Sequence, residues 1–399
     1  MKKWTCFLGI VVLALSCQRE AGFRISGSVP GTPDGMKAYL YKWNTPVDSA
    51  VVKGGKFVIK GKVDIPARYQ LWIDLSPDKV ESYEKDLRGS DIFVDNSDIR
   101  YESPSIDSLP SRLKFKRKVN GKVTITGSPV HDLYMSYKGK VEPYSMKKRE
   151  AWDKYLKVYH VPALDGVFNT QEGIALTREM QKAQKEMERI QWEFIKANPT
   201  SPVAVDVAQD IVSRAKLSKA EMNDLLQAID PSLREIVAYK QLKENVGNLY
   251  PIAVGEKYTD IEVVDENGKT VHLSDYVKPG QYNMVEFWAS WCGPCRGEIP
   301  HLRHVYDAYG KGKDALNMIS VSIDDKEKDW KQALKEENMN WMQLCDMKGW
   351  KGDVISKYKI NGVPFCLILD KEGRIIEYDV RGSALDIVLI DNLGDRYKE

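Results

Sequence analysis

Met284 to Ala289 reads as a buried β-strand, and it runs into Trp291-Cys292-Gly293-Pro294-Cys295 and then a helix. No other stretch of the chain limits its possible folds so tightly. A thiolate is the attacking species in disulfide exchange, so the pKa of the first cysteine controls reactivity. At the start of a helix, free backbone N–H groups and the helix dipole both favour an anion. Cys292 holds that position. Cys295 lies one turn on, on the same helical face and within bonding distance. Gly293 and Pro294 allow a tight turn and a preset first helical residue. The expected chemistry is attack by Cys292 on a substrate disulfide, a mixed disulfide, and resolution by Cys295.

The surroundings of this junction alternate β and α from about residue 250. Ile261 to Val264 and Val271 to Leu273 flank Asn267-Gly268, a hairpin turn signal. Leu316 to Ile323 reads as the next strand, followed by a helix around Trp330 to Glu337. Trp341 to Cys345 is a short strand, with a helix near Val354 to Tyr358. Pro364 to Leu369 and Ile375 to Val380 are joined by Lys371-Glu372-Gly373, and Ala384 to Leu393 closes as an amphipathic helix. Such alternation predicts a sheet covered on both faces. Cys345 and Cys366 fall in predicted strands, where a free cysteine behaves as a small buried apolar residue. The alternative is a second redox pair, which needs Cα atoms within about 7 Å.

The 399 residues leave room for further domains. Residues 17–128 are expected to form an all-β module, a sandwich or barrel. Phe23, Ile25 and Val29 share one parity, and Tyr39 with Tyr41, Phe57 with Ile59, and Tyr69, Leu71 and Ile73 repeat the period of two. Residues 129–249 read as a helical linker region. Leu176, Met180, Ala183, Met187, Ile190, Phe194 and Ala197 mark one face of a long helix, ended by Asn198-Pro199. Ser201-Pro202 offers an N-cap and first-turn proline, and Ser218 with Glu221 a capping box. Residues 250–399 form the alternating β and α region.

The first residues bear on the compartment. Lys2 and Lys3 precede a short apolar run, Phe7 to Leu15. A run of about 7–15 apolar residues after a basic start is a signal peptide, shorter than the ~20 residues of a bilayer span. Ala14-Leu15-Ser16-Cys17 resembles a bacterial lipobox. That resemblance implies a signal peptide over 1–16, lipidation of Cys17, and a membrane anchor with the bulk facing the periplasm. Gln18, where an inner-membrane retention signal usually carries Asp, favours the outer membrane. The alternative is ordinary cleavage with Cys17 as a bystander. Lys+Arg 59 against Asp+Glu 57 gives a net charge of +2, which suggests no nucleic-acid partner. The 10 Trp and 20 Tyr serve core packing or an exposed sugar- or peptide-binding surface.

Phe287-Trp288-Ala289-Ser290-Trp291-Cys292-Gly293-Pro294-Cys295 looks like the active-site signature of thioredoxins and their periplasmic relatives. Gly362-Val363-Pro364 resembles the family's cis-proline loop. The resemblance implies that Pro364 is cis and that Trp291, Val363 and Pro364 bind substrate. Glu286 falls at the place of the family's buried carboxylate, usually Asp in thioredoxin itself, and is expected to accept the proton of Cys295. Val254-Gly255-Glu256-Lys257 and the helix after Val321-Ser322-Ile323-Asp324 look more like membrane-anchored periplasmic reductases than plain thioredoxin. The similarity covers roughly residues 251–399. The entire layout resembles anchored lipoproteins of Gram-negative anaerobes, whose N-terminal module has no assigned function.

The expected activity is that of a thiol-disulfide oxidoreductase, a periplasmic protein-disulfide reductase that needs no cofactor. Its expected partners are disulfide-containing periplasmic proteins, apocytochromes among them, and a membrane thiol electron donor. Gly293-Pro294 is the dipeptide of thioredoxin, whose potential is about −270 mV, against about −120 mV for strong oxidants of the fold. One alternative is a ligand- or partner-binding lipoprotein with a redox-sensing domain. Another is a thiol peroxidase, although Ala289 stands where that chemistry wants Thr. No metal is expected: Cys-x2-Cys with His301 and His304 has the wrong spacing for a zinc finger, and Arg296 replaces the His of a covalent haem site. The two histidines are expected at the polar surface of the helix.

Overall fold

Period-two alternation over residues 23–102 builds two antiparallel-rich sheets. The strands are β1 (Phe23–Ser28), β2 (Lys37–Lys42), β3 (Thr45–Val51), β4 (Lys56–Gly61), β5 (Ala67–Asp74), β6 (Leu87–Val94), β7 (Asp98–Glu102) and β8 (Thr124–Thr126). They order as β4-β1-β7-β8 and β3-β2-β5-β6. Ile25, Ile59 and Ile99 of the first sheet share one core with Leu40, Leu71 and Ile92 of the second, which makes a sandwich. The computed structural model describes residues 22–76, 85–112, 121–312 and 314–397. The expected leader and Cys17 lie outside the described residues.

The alternation in β2 has its buried parity on the smaller residues. β2 buries Ala38 and Leu40, while Tyr39 and Tyr41 lie half-exposed on the other face. The register explains it: Ala38 and Leu40 stand opposite Ile73 and Leu71 of β5. A one-residue slip would turn every side chain to the wrong face. On the outer face the phenol hydroxyls keep access to solvent. The module ends at Tyr134, in the first turns of helix α1 (Pro129–Tyr155). There His131 Nδ1 accepts the Phe93 N–H at 3.2 Å, and Tyr134 packs on the Phe93 ring.

A second compact unit begins at Met135. It holds the rest of α1, a π-helical turn over Leu156–His160, α2 (Val161–Leu164), α3 (Thr170–Ala197), α4 (Pro202–Val212), α5 (Lys219–Gln227) and α6 (Val237–Leu249). The apolar stripe of α3 packs on α1, with the Phe194 and Tyr137 rings 5.1 Å apart and Met180 beside Tyr155 and Tyr159. Ser201 caps α4, and Ser218 and Glu221 form the capping box of α5.

The same unit continues into a seven-stranded sheet. Its elements are β9 (Glu262–Asp265), β10 (Thr270–His272), β11 (Asn283–Trp288), α7 (Gly293–Tyr309), β12 (Asn317–Ser322), α8 (Glu327–Glu337), β13 (Met342–Cys345), α9 (Asp353–Tyr358), β14 (Phe365–Leu369), β15 (Ile375–Tyr378) and α10 (Ser383–Leu393). The strand order is β10-β9-β13-β12-β11-β14-β15. One core joins Val285, Phe287, Ile319 and Val321 to Val354 and Tyr358 of α9. A second joins Met284 and Met318 to Leu302 and Val305 of α7 and Leu385 and Leu389 of α10. The sheet is thus covered on both faces, a thioredoxin-like α/β arrangement.

His301 is not at the surface, and His304 is half-covered. His301 is buried, with Nε2 2.9 Å from Asp386 Oδ1 and Nδ1 3.0 Å from Glu298 Oε1. Asp386 also accepts from Tyr159 at 3.0 Å and from Tyr397. The His304 ring stacks between Phe168 and Tyr397. α10 is likewise buried on most sides, because α3 packs against it and Thr177 bonds Ser383 at 2.6 Å. An isolated domain of this kind would leave these faces to water. Here α3 and the segment around 156–168 cover them.

Burial alone would lower the His301 pKa, but Asp386 and Glu298 overcome it and raise it to about 10. The stabilisation this brings is present in full below the ordinary histidine value of 6.5 and is lost as pH rises towards about 10. His301→Leu leaves the buried Asp386 and the half-buried Glu298 without their cation, at a cost on the order of 3–5 kcal/mol. Denaturant unfolding near neutral pH should show that loss. The wild type should lose stability relative to the variant between pH 6.5 and 10, and parallel curves would refute the assignment.

Candidate active site

β11 places the site. It pairs in parallel with β12 and antiparallel with β14, and all its residues are buried. Beyond it the chain turns through Ala289-Ser290-Trp291. Ser290 donates to Asp324 through its N–H at 2.9 Å and its Oγ at 2.6 Å, which ties the turn to the end of β12. Cys292 then forms the N-cap of α7 in an extended conformation, and its Sγ accepts the Cys295 N–H at 3.1 Å. A sulfur replaces the usual capping oxygen and meets an N–H that the helix leaves unpaired.

Cys292 and Cys295 form a disulfide, with Cα atoms 5.2 Å apart. Cys292 keeps 5% exposure and Cys295 none, so the first sulfur is the accessible one. The Val363–Pro364 peptide is cis, and the Val363 carbonyl oxygen lies 3.5 Å from Cys292 Sγ. Arg381 holds this loop by donating to the Pro364 carbonyl oxygen. Trp291 is 55% exposed beside the pair. The structure therefore brings Trp291, Cys292, Cys295, Val363 and Pro364 together.

Glu286 points into the interior of the same domain. Ser320 Oγ donates to its Oε2 at 2.8 Å, while Oε1 has no partner among the described residues. Burial pushes its pKa up to about 7 against the opposing pull of the Ser320 bond. Cys345 and Cys366 are buried free thiols, each pushed up to about 12 by burial. They sit on β13 and β14, with β12 and β11 between them. Three strand spacings separate them by roughly 14 Å, beyond the reach of a disulfide. The alternative of a second redox pair is thereby removed.

Three residues of this region were not singled out as site residues from sequence. Glu298 is half-buried one turn after Cys295, accepting from Gly382 N at 2.9 Å. Burial raises its pKa, but His301 and the Gly382 N–H outweigh that and hold it below the usual carboxylate range. Its spacing of three from Cys295 on one helix was the available signal. Asp324 was visible only as the end of a strand motif. Arg381 carried no signal, since its contact with Pro364 spans 17 positions.

A carboxyl raised from 4.5 to about 7 holds its proton longer in the folded chain than in the unfolded one. Stability therefore falls as pH rises between those values and is level above them. At about 1.4 kcal/mol per unit the fall is on the order of 3 kcal/mol. Glu286→Gln should lack it and be more stable than wild type at pH 8, with little difference near pH 4.5. Denaturant midpoints of the oxidised proteins at both values check this. A wild type and variant that fall in parallel would show that Glu286 is not the titrating group.

The comparison with known proteins adds to this geometry. Residues 254–378 match the model of the AhpC/TSA family, and residues 23–134 match a domain of unknown function, DUF4369. The chain is 26% identical over 130 residues to the thiol-disulfide oxidoreductase ResA of Bacillus thuringiensis subsp. konkukian, covering 33% of this chain and 70% of that one. It is 28% identical over 109 residues to the sporulation thiol-disulfide oxidoreductase A of Bacillus subtilis, covering 27% of this chain and 65% of that one. The thioredoxin domain of a thiol-disulfide oxidoreductase from Bacteroides vulgatus aligns with 33% identity and a TM-score of 0.32, over 35% of this chain and 96% of that one. With its sulfur pair at the head of α7, the region 254–378 is an AhpC/TSA domain of thioredoxin-like fold, and the chain that carries it is a thiol-disulfide oxidoreductase.

Proposed function

We propose that this chain is a periplasm-facing protein-disulfide reductase. The position of Cys292 Sγ carries the reading. It sits at the head of α7, in contact with the Cys295 N–H and 3.5 Å from the Val363 carbonyl oxygen. In the reduced pair, the Cys292 thiolate attacks one sulfur of a substrate disulfide, and the other substrate sulfur leaves as a thiolate. Cys295 then loses its proton and attacks Cys292 Sγ, and the second substrate thiolate leaves. The substrate is reduced by two electrons and the pair ends as its disulfide. A substrate segment lies along Val363-Pro364 as an added strand. Glu286, poised near pH 7, takes the Cys295 proton. Trp291 flanks the bound segment.

The pair must be reduced again after each turnover, so a membrane thiol donor belongs to the cycle. Apocytochromes and proteins with mismatched disulfides are the substrate classes. Removal of residues 1–16 and lipidation of Cys17 hold the chain at a membrane, with the outer membrane favoured by Gln18. Among the described residues no helix is long and apolar enough to cross one. Cells fed a fatty-acid analogue should label the wild type and not Cys17→Ala; equal absence of label removes the anchor.

Cys295→Ser should stall the reaction at the mixed disulfide. Purified from cells without reductant, it should carry covalent partners that dithiothreitol releases. Cys292→Ser should carry none, while Cys345→Ser and Cys366→Ser should trap nothing and still turn over. Trapping by Cys295→Ser no greater than by the double Cys292→Ser, Cys295→Ser variant would defeat the assignment.

A further inference from the structure

A groove of about 430 Å³ opens at Trp291, the residue that precedes Cys292. Trp291, Ile323 and Trp350 supply its apolar lining, and Lys348, Lys351 and Asp325 its charges. Trp350 stands on the turn after β13, where Gly349 takes a left-handed φ of 59°. The loop behind it is anchored: Asp346 is buried and accepts the Val354 N–H at 3.1 Å. The two indoles lie 6.0 Å apart, and each leaves about half its surface in solvent, 55% for Trp291 and 49% for Trp350. Large aromatic surface held open next to a reactive sulfur marks a contact site for a partner.

The charges around the pair divide into two kinds. Arg296, next to Cys295, is taken up by Glu336 and Glu337. Arg381 is taken up by Asp379 and the Pro364 carbonyl. Lys348 and Lys351 are exposed, and neither ammonium makes a hydrogen bond or ion pair among the described residues. Asp325 offsets one of them, so the groove keeps a net positive charge.

We propose that this groove is a specificity subsite for the polypeptide that flanks the reactive disulfide. An aromatic or branched apolar side chain lies on Trp291 and Trp350, and an aspartate or glutamate close to it meets Lys348 and Lys351. The inference rests on the reductase reading of the same site and names its substrate class: disulfides set in acidic, apolar segments.

The test uses the full reduced chain and three disulfides. Hydroxyethyl disulfide reports the redox pair alone. Two peptides of equal length carry the same disulfide and one Leu, flanked by Asp and Glu in one and by Lys in the other. Wild type should reduce the acidic peptide with kcat/KM about tenfold above the basic one. Lys348→Glu with Lys351→Glu should invert that ratio, which cancels any change at the sulfur pair. Trp350→Ala should lower the ratio of acidic peptide to hydroxyethyl disulfide by about tenfold. Hydroxyethyl disulfide reduced normally by wild type, with the two peptides treated alike, overturns the subsite and leaves the reductase reading standing. An unchanged peptide ratio after charge reversal does the same. Failure to reduce hydroxyethyl disulfide overturns the reductase reading and the subsite with it.

Discussion

His301 lies between the buried Asp386 and the half-buried Glu298, and that arrangement decides where helix α7 can sit. Asp386 comes from α10, Glu298 from the turn of α7 that follows Cys295. The imidazolium offsets the cost of holding charge on both acids here, and they in turn keep it charged. Tyr159, from the π-helical turn of the helical region, adds its hydroxyl to Asp386. One cluster therefore joins the reactive helix, the last helix and the helical region. Glu298 reaches further, through the Gly382 N–H to the residue beside Arg381, whose guanidinium holds Pro364. The two walls of the redox site, the head of α7 and the cis-proline loop, rest on the same charged interior.

Much of this was legible in residues, and for local reasons. The strand–helix junction at Cys292 could be read because strand pattern, proline position and cysteine spacing all agree over a few residues. The capping motifs at Ser201 and Ser218 are equally local. What escaped was set by distant neighbours. His301 and His304 fall on a helix face that is polar by pattern and is covered, fully at His301 and partly at His304, only when α3 and residues 156–168 close over it. Which face of β2 is buried was not legible, because Ala38 and Leu40 compete with Tyr39 and Tyr41, and only pairing with β5 decides between them. Arg381 lies where nothing in the nearby sequence points to the proline it holds.

The site itself is built on unequal access. Cys292 touches solvent and Cys295 does not, which is the access the proposed order of attack needs, before any difference in acidity is considered. Glu286 is placed in the interior with one oxygen unpartnered among the described residues. A carboxyl with a free acceptor and a value near neutrality can exchange a proton at little cost. Ser320 and Asp324 hold the two ends of this arrangement from β12 and the residues after it.

The two remaining described cysteines give the last consequence. Cys345 and Cys366 are buried on strands separated by two others, and their thiols are pushed up to about 12. As thiols they are almost never ionised near neutrality, so they are poor nucleophiles. Native folding thus insulates them from the exchange that runs a few strands away. In an oxidising compartment, where unguarded thiols scramble, the folded domain has a single two-electron couple and no internal route by which that couple can migrate. Loosen the sheet, and four sulfurs become interchangeable; the packing that makes the domain stable is also what makes its redox state singular.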